Sequence, residues 1–109
     1  MNQGISDELI ARATPIGTEL AWLPQDAADV INYLCDHDLA VLGIEIWIPG
    51  KDGPQVWGWS DYKIDFSNWH RFVEDNCARA LSEMKKPLPN NAIVNMTWVS
   101  ESEYAKSRQ

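Results

Sequence analysis

The sequence predicts an α+β fold: a three- or four-stranded, mainly antiparallel sheet with two main helices packed on one face. Three observations predict it. The run from Leu39 to Ile48 is apolar or glycine except for Glu45, which is typical of a central strand. A turn rich in glycine and proline follows, and then a second strand-like run. Two segments with apolar residues at helical spacing flank this pair of strands.

The stretch Leu39 to Tyr62 is predicted to form a β-hairpin around which the rest of the chain is organised. Its turn is Pro49 to Pro54, and its second strand, Gln55 to Tyr62, carries Trp57 and Trp59 on a single face. Strand alternation assigns the residues of the first strand to two faces. One face receives Leu42, Ile44, Ile46 and Ile48, and the other receives Val41, Gly43, Glu45 and Trp47.

Two amphipathic helices are predicted, one on each side of the hairpin. The first runs from Gln25 to His37 after Pro24, a residue tolerated in the first helical turn. The second runs from about Asn68 to Lys85, with Ser67 as its N-cap. The apolar stripes consist of Ala27, Val30, Ile31, Leu34 and Cys35 in the first helix, and of Trp69, Phe72, Val73, Cys77, Ala80 and Met84 in the second.

The remaining segments are less regular. We expect a short helix over Ser6 to Ala13, ended by Thr14 to Gly17, whereas Thr18 to Leu23 fits a strand or an extended linker equally well. A last strand over Ala92 to Val99 is expected to run antiparallel to the first hairpin strand and to bury Val94, Met96 and Trp98. Residues 63–66 lead out of the hairpin. The length of 109 residues predicts a single domain, 1–109, with residues 1–17 and 100–109 loosely ordered; a short terminal helix is the alternative for 100–109.

The charge of the chain restricts its partners. The formal net charge is −7, which argues against binding to nucleic acid or to an anionic membrane. Residues 1–65 carry a net charge of −8 and residues 66–109 a net charge of +1. An acidic first half indicates a partner with a basic surface, and the alternative is that the acidity only keeps a small protein soluble.

No pattern in the chain indicates catalysis. There is no nucleophile elbow around Ser60, no phosphate-binding loop around Lys51, and no metal-ligand spacing of histidines and cysteines. Two cysteines without a C-x-x-C motif, no secretory signal and no apolar run long enough to span a bilayer indicate a soluble cytoplasmic protein. We therefore expect a protein that is not an enzyme and that binds no metal or cofactor.

The aromatic residues indicate binding to another protein. Trp and Tyr often dominate protein interfaces because each combines a large apolar area with a polar tip. We expect at least half of the six Trp residues to be structural, and one or two of Trp47, Trp57 and Trp59 to lie on a surface rimmed by acids. The predicted partner-binding residues are Asp36, Asp38, Glu45, Trp47, Asp52, Trp59, Asp61 and Tyr62.

Four features together resemble bacterial polymorphic-toxin immunity proteins. They are a helix, the segment A-V-L-G-I-E-I-W, a Gly-rich turn with V-W-G-W-S-D-Y, and a helix beginning W-x-x-F-V. Within that group the chain is most similar to the family numbered forty, over about Leu23 to Met84. The resemblance implies an α+β protein, without a cofactor, that binds and blocks a cognate toxin domain. Such toxins are often delivered by contact-dependent or specialised secretion systems. The resemblance transfers no catalytic residue and no contact position.

The main hypothesis is therefore an acidic immunity protein that occludes the active site of a basic toxin such as a nuclease. A second hypothesis is a small adaptor or secretion chaperone that binds an apolar segment of its partner, with weak salt dependence. A third is a small hydrolase that uses Glu45 or Asp61, which would require one of these carboxylates to lie in a cleft with a raised pKa. The sequence does not specify the toxin or the oligomeric state.

Overall fold

The computed structural model describes residues 4–62 and 68–107. These residues form an α+β fold, which confirms the predicted fold class. Two long helices lie on either side of the β3–β4 hairpin in the sequence, as predicted. The elements are α1 (Asp7–Arg12), β1 (Thr14–Ile16), β2 (Glu19–Trp22), α2 (Pro24–Asp36), β3 (Ala40–Gly50), β4 (Gly53–Asp61), α3 (Trp69–Lys85), β5 (Ile93–Val99) and α4 (Glu101–Ser107).

The sheet is antiparallel and has five strands in the order β1-β2-β5-β3-β4, so the predicted number of three or four was too small. The additional strand is β1, which the sequence analysis treated as the end of a helix. Three residues with Pro15 at the centre carry no alternating pattern, and pairing with β2 makes this segment a strand. The predicted antiparallel pairing of β5 with β3 is confirmed, and β3 lies between β5 and β4.

Helices α2 and α3 pack against one face of the sheet and form the main core with it. The predicted stripe of α2 packs there with Cys77 and Ala80 of α3, whereas the first part of the α3 stripe lies in a smaller cluster. Val94 and Met96 of β5 face the helices as expected, and Trp98 is partly buried. Trp22 of β2 is fully buried in this core, and its indole Nε1 donates to the backbone oxygen of Leu9 at 2.8 Å. The strand β2 therefore also holds α1 in place.

A β-bulge between Val41 and Gly43 changes the predicted assignment of faces in β3. The register of β3 against β5 shifts at this point, and Val41 joins Ile44 and Ile46 in the core beneath the helices. Leu42 packs instead in the smaller cluster. The side chain of Asn76, buried in α3, donates from Nδ2 to the backbone oxygen of Val41 at 2.8 Å. Strict alternation fails here because the bulge inserts one residue.

The smaller cluster lies between β3, α3 and α4. Trp69 and Phe72 of α3 stack edge to face with ring centroids 5.2 Å apart, and Tyr104 of α4 lies about 6 Å from both rings. The segment after β5 is thus a helix in the structure, one of the two alternatives for residues 100–109. Helix α3 begins at Trp69 with Asn68 as its N-cap; the predicted cap Ser67 and residues 63–66 lie outside the described residues.

Both cysteines lie in the predicted helices as free thiols. In the part of the chain that the structure describes, no helix has the length and apolar character to cross a membrane.

Candidate functional site

The face of the sheet opposite the helices exposes a group of side chains on the β3–β4 hairpin. Glu45 and Trp47 alternate with the core residues Ile44 and Ile46, so they point away from the helices. Residues directly opposite each other in a ladder share a face. The pairs Gly43–Asp61, Glu45–Trp59 and Trp47–Val56 therefore place five side chains on this face. We call them the hairpin platform: Glu45, Trp47, Val56, Trp59 and Asp61.

Trp59 is the most exposed large apolar residue of the platform. Its side chain is 70% exposed, and that of Val56 is 53% exposed. Leaving an indole in water has no benefit for stability, since burial of its apolar area would be favourable. Trp is one of the residue types that most often dominate the binding energy of protein interfaces.

Trp47 has the opposite environment and a structural function within the platform. It is only 8% exposed, and it belongs to neither of the helix-side clusters. Its Nε1 donates to Oε2 of Glu45 at 2.8 Å. This charge-assisted hydrogen bond fixes the direction of the carboxylate. Glu45 is thus a preorganised acceptor next to the exposed ring of Trp59.

A second bulge separates Trp57 from Trp59, which the sequence analysis placed on one face. Gly58 pairs with Ile46, and Val56 pairs with the next residue of β3, so Trp57 is the inserted residue. Trp57 is 53% exposed and borders a groove of about 260 Å³ between β4 and the end of α3. We call it the β4 groove; it is lined by Ile44, Ile46, Trp57, Gly58, Trp59, Ser60, Glu83, Lys86, Pro87 and Leu88.

The other predicted contact residues lie apart from the platform. Asp52 is exposed in the hairpin turn, and Asp36 is exposed at the last residue of α2. Asp38 connects α2 to α3, since its carboxylate contacts Nδ1 of His70 at 3.0 Å and its backbone oxygen accepts from Nε1 of Trp69 at 3.1 Å. The structure therefore brings together four of the eight predicted residues: Glu45, Trp47, Trp59 and Asp61.

Tyr62, the eighth predicted residue, packs against the helix-side core. Its hydroxyl is buried, and it has no hydrogen-bond partner among the residues that the structure describes. Burial and the negative charge of Glu83 raise the pKa of this phenol to about 12, and Arg79 acts in the opposite direction. Tyr62 is thus a half-buried packing residue at the end of β4.

A further groove, of about 330 Å³, lies between β1 and the tip of the hairpin. We call it the tip groove; its lining is mostly apolar and consists of Thr14, Ile16, Ile48, Pro49, Gly50, Gly53, Pro54, Asn91 and Ile93. Sequence reasoning missed it because β1 was not recognised. It also missed the β4 groove, although the uncharged run Gly53–Ser60 was a usable signal of an unusual surface strand.

Comparisons were made with protein-family models, curated proteins and solved structures. None matches this chain.

The platform is an open surface that combines an exposed indole with two carboxylates. Glu45 and Asp61 are both exposed on an open face, whereas the hydrolase hypothesis requires a carboxylate in a cleft. Among residues 4–62 and 68–107 there is no cluster of three His, Cys, Asp or Glu side chains suited to a metal ion.

Proposed function

We propose that this protein is a cytoplasmic immunity protein that binds a cognate bacterial toxin domain, such as a basic nuclease, through the hairpin platform and occludes its active site. The observation that carries the proposal is the exposed ring of Trp59 beside the fixed carboxylate of Glu45. The ring supplies an apolar anchor, and the carboxylates of Glu45 and Asp61 supply acceptors for Lys or Arg.

The charge distribution supports the same partner. A net charge of −7 attracts a basic domain over a distance of about 10 Å, the screening length at 0.1 M salt. Steering of this kind raises the association rate, and the anchored contacts then slow dissociation. A toxin that acts on nucleic acid needs a basic active-site surface, which an acidic platform would cover.

The test is a calorimetric titration against the C-terminal domain encoded by the neighbouring gene, at two salt concentrations, with a toxicity assay alongside. The double variant Glu45→Lys/Asp61→Lys should bind much more weakly and fail to protect cells. Glu74→Lys/Asp75→Lys on α3 makes the same change in net charge away from the platform and serves as the control. Equal affinity of the two double variants would contradict the platform as the contact site.

A second function, an adaptor or secretion chaperone, is favoured by the tip groove. Its mainly apolar lining of Ile16, Ile48, Pro49, Pro54 and Ile93 suits an apolar segment of a partner protein. Binding there should be insensitive to salt and should be lost in Ile16→Lys. For an immunity protein that uses the platform, binding should weaken as salt increases and should be unchanged in Ile16→Lys.

A further inference from the structure

The outer edge of β4 is protected only in its first half, where Pro54 and the bulge at Trp57 interrupt it; Gly58 to Ser60 carries no charge, proline or bulge. Natural edge strands are short, or they carry Pro, Lys or other charged residues. These features prevent pairing with another chain. Strand β4 has nine residues, and no charged side chain occurs from Gly53 to Ser60. In the described parts of the chain, no strand pairs with its outer edge.

The backbone of β4 directs hydrogen-bonding groups toward this edge, where they pair with no strand of the described residues. The N–H of Tyr62 donates to the oxygen of Leu42 at 3.1 Å, so this pair is a hydrogen-bonded one. Hydrogen-bonded and non-hydrogen-bonded pairs alternate in an antiparallel ladder. The N–H and C=O groups of Ser60 therefore point toward β3, whereas those of Trp59 and Asp61 point outward.

A strand added at this edge would meet two different surfaces. On the helix side, its side chains would enter the β4 groove, whose apolar wall includes Ile44, Ile46 and Leu88. Two charged side chains, Lys86 and Glu83, line that groove among the described residues, and they form an ion pair at 2.9 Å. The open side presents the ring of Trp59 and the carboxylates of Glu45 and Asp61, which favour cations.

We propose that the outer edge of β4 accepts an extended segment of the partner protein as a sixth strand, in which apolar and cationic side chains alternate. Strand periodicity would send the apolar residues into the β4 groove and the cations over Trp59 and Glu45. A second copy of the chain fits poorly, since its own strand Gly53–Ser60 offers no cation to the platform. That this partner is a toxin rests on the proposed function. The alternation of apolar and cationic residues in the segment does not rest on it, because it is inferred from the two surfaces beside β4.

The first test uses synthetic peptides with the intact protein, followed by Trp fluorescence and calorimetry. A peptide of alternating Lys and Ile, about six residues long, should bind, and a block peptide of three Lys and three Ile should bind roughly tenfold more weakly. Two further peptides carry backbone N-methyl groups on all Lys or on all Ile residues. Alternate N–H groups point to opposite edges of a strand, so only one methylated peptide should lose binding. Equal affinity of the alternating and block peptides, or equal loss in both methylated peptides, would overturn strand addition.

The second test uses variants of β4. Asp61→Pro removes an outward N–H, and Asp61→Ala removes the same carboxylate but keeps the N–H. Gly58→Val places a side chain in the β4 groove. A Cβ added at Gly58 has no atom within 4 Å, so the fold should tolerate this substitution. Asp61→Pro should bind the alternating peptide and the toxin roughly tenfold more weakly than Asp61→Ala, and Gly58→Val should weaken both as well. Thermal melts identify any variant that has lost its fold.

The outcomes separate the two proposals. Suppose that the toxin binds and Glu45→Lys/Asp61→Lys abolishes binding, but Gly58→Val binds like the wild type and Asp61→Pro binds like Asp61→Ala. Strand addition is then wrong, and the immunity function stands. Binding of the peptide in the predicted pattern without any binding of the toxin would support strand addition and contradict the immunity function. A dimer in light scattering that Asp61→Pro, but not Asp61→Ala, converts to monomer would show that a second copy occupies the edge, which overturns the proposal.

Discussion

The Trp residues beneath the helices and those on strand β4 have opposite environments. Trp22 and Trp69, on the helix side, are buried, and each donates its indole N–H to a backbone oxygen. Trp57 and Trp59, on the hairpin strand β4, are more than half exposed. The same residue type thus stabilises the fold in one region and remains available for contact in the other. Substitutions should therefore separate stability from binding.

The largest difference should come from truncating one Trp in each region. Trp22→Ala should lower the free energy of unfolding by about 3–5 kcal/mol, because it leaves a cavity and an unpaired oxygen on Leu9. Trp59→Ala should change it by only about 0.5 kcal/mol or less, but should weaken partner binding by about 2 kcal/mol or more. Urea denaturation and calorimetry provide the two measurements. A large loss of stability in Trp59→Ala would contradict this division.

A smaller effect is expected where α3 supports the bulge of β3. Asn76→Leu preserves the approximate size of the side chain but leaves the oxygen of Val41 without its donor. The loss should be about 1–3 kcal/mol in free energy of unfolding. Asn32→Leu, at an exposed position of α2, is the matched control and should have little effect. Equal stabilities of the two variants in urea would show that the hydrogen bond does not support the bulge.

The free energy of unfolding should also decrease at alkaline pH, because of a buried thiol on the helix side. Burial and the neighbouring Cys35 thiol raise the pKa of Cys77 from 9.0 to about 12, so the native state retains this proton longer than the unfolded state. The resulting contribution is fully present below pH 9 and decreases as the pH rises toward 12. Cys77→Ala lacks it.

We expect the difference in free energy of unfolding between the wild type and Cys77→Ala to decrease between pH 7.5 and pH 10. Unfolding curves at several pH values measure this difference, and the comparison cancels titrations that the two proteins share. Trp59→Ala should parallel the wild type over the same range. A constant difference would contradict the burial of the Cys77 thiol.

The smallest effect should come from the ion pairs between α1 and α2. Nη1 of Arg12 lies 2.9 Å from Asp29 and 3.1 Å from Asp26, and these hydrogen bonds raise the pKa of the guanidinium. Arg12→Gln should lower the melting temperature slightly at low salt and not at high salt, because exposed ion pairs are screened. Partner binding should remain unchanged. An equal decrease at both salt concentrations would indicate a packing effect instead.

The sequence predicted the regular parts of the fold well. The apolar stripes of α2 and α3 and the run Leu39–Ile48 have strong periodicity, and their places in the core follow from it. The bulges at Val41/Gly43 and Ile46/Trp47 could not be predicted, because they depend on the register against β5 and β4. Strand β1 escaped prediction because three residues around Pro15 carry no pattern of their own.

The candidate site was predicted only where strand alternation applies. Glu45, Trp47, Trp59 and Asp61 share a face because two antiparallel strands place them there. Asp38 and Tyr62 were included for their residue type, and tertiary contacts with His70, Trp69 and the core determine where they lie. The exposed edge of β4 depends on the strand order, which no local pattern contains.

That strand order has a consequence for how the chain folds. Among the strands of the described residues, β5 comes last in the sequence, yet it lies in the interior of the sheet between β2 and β3. Until the ribosome has delivered residues 93–99, the β1–β2 and β3–β4 hairpins are two separate ribbons with unpaired inner edges. Contacts between distant parts of a chain slow folding and leave such edges open to aggregation. The sheet can therefore close only after residues 93–99 have been translated, and until then both hairpins expose their inner edges.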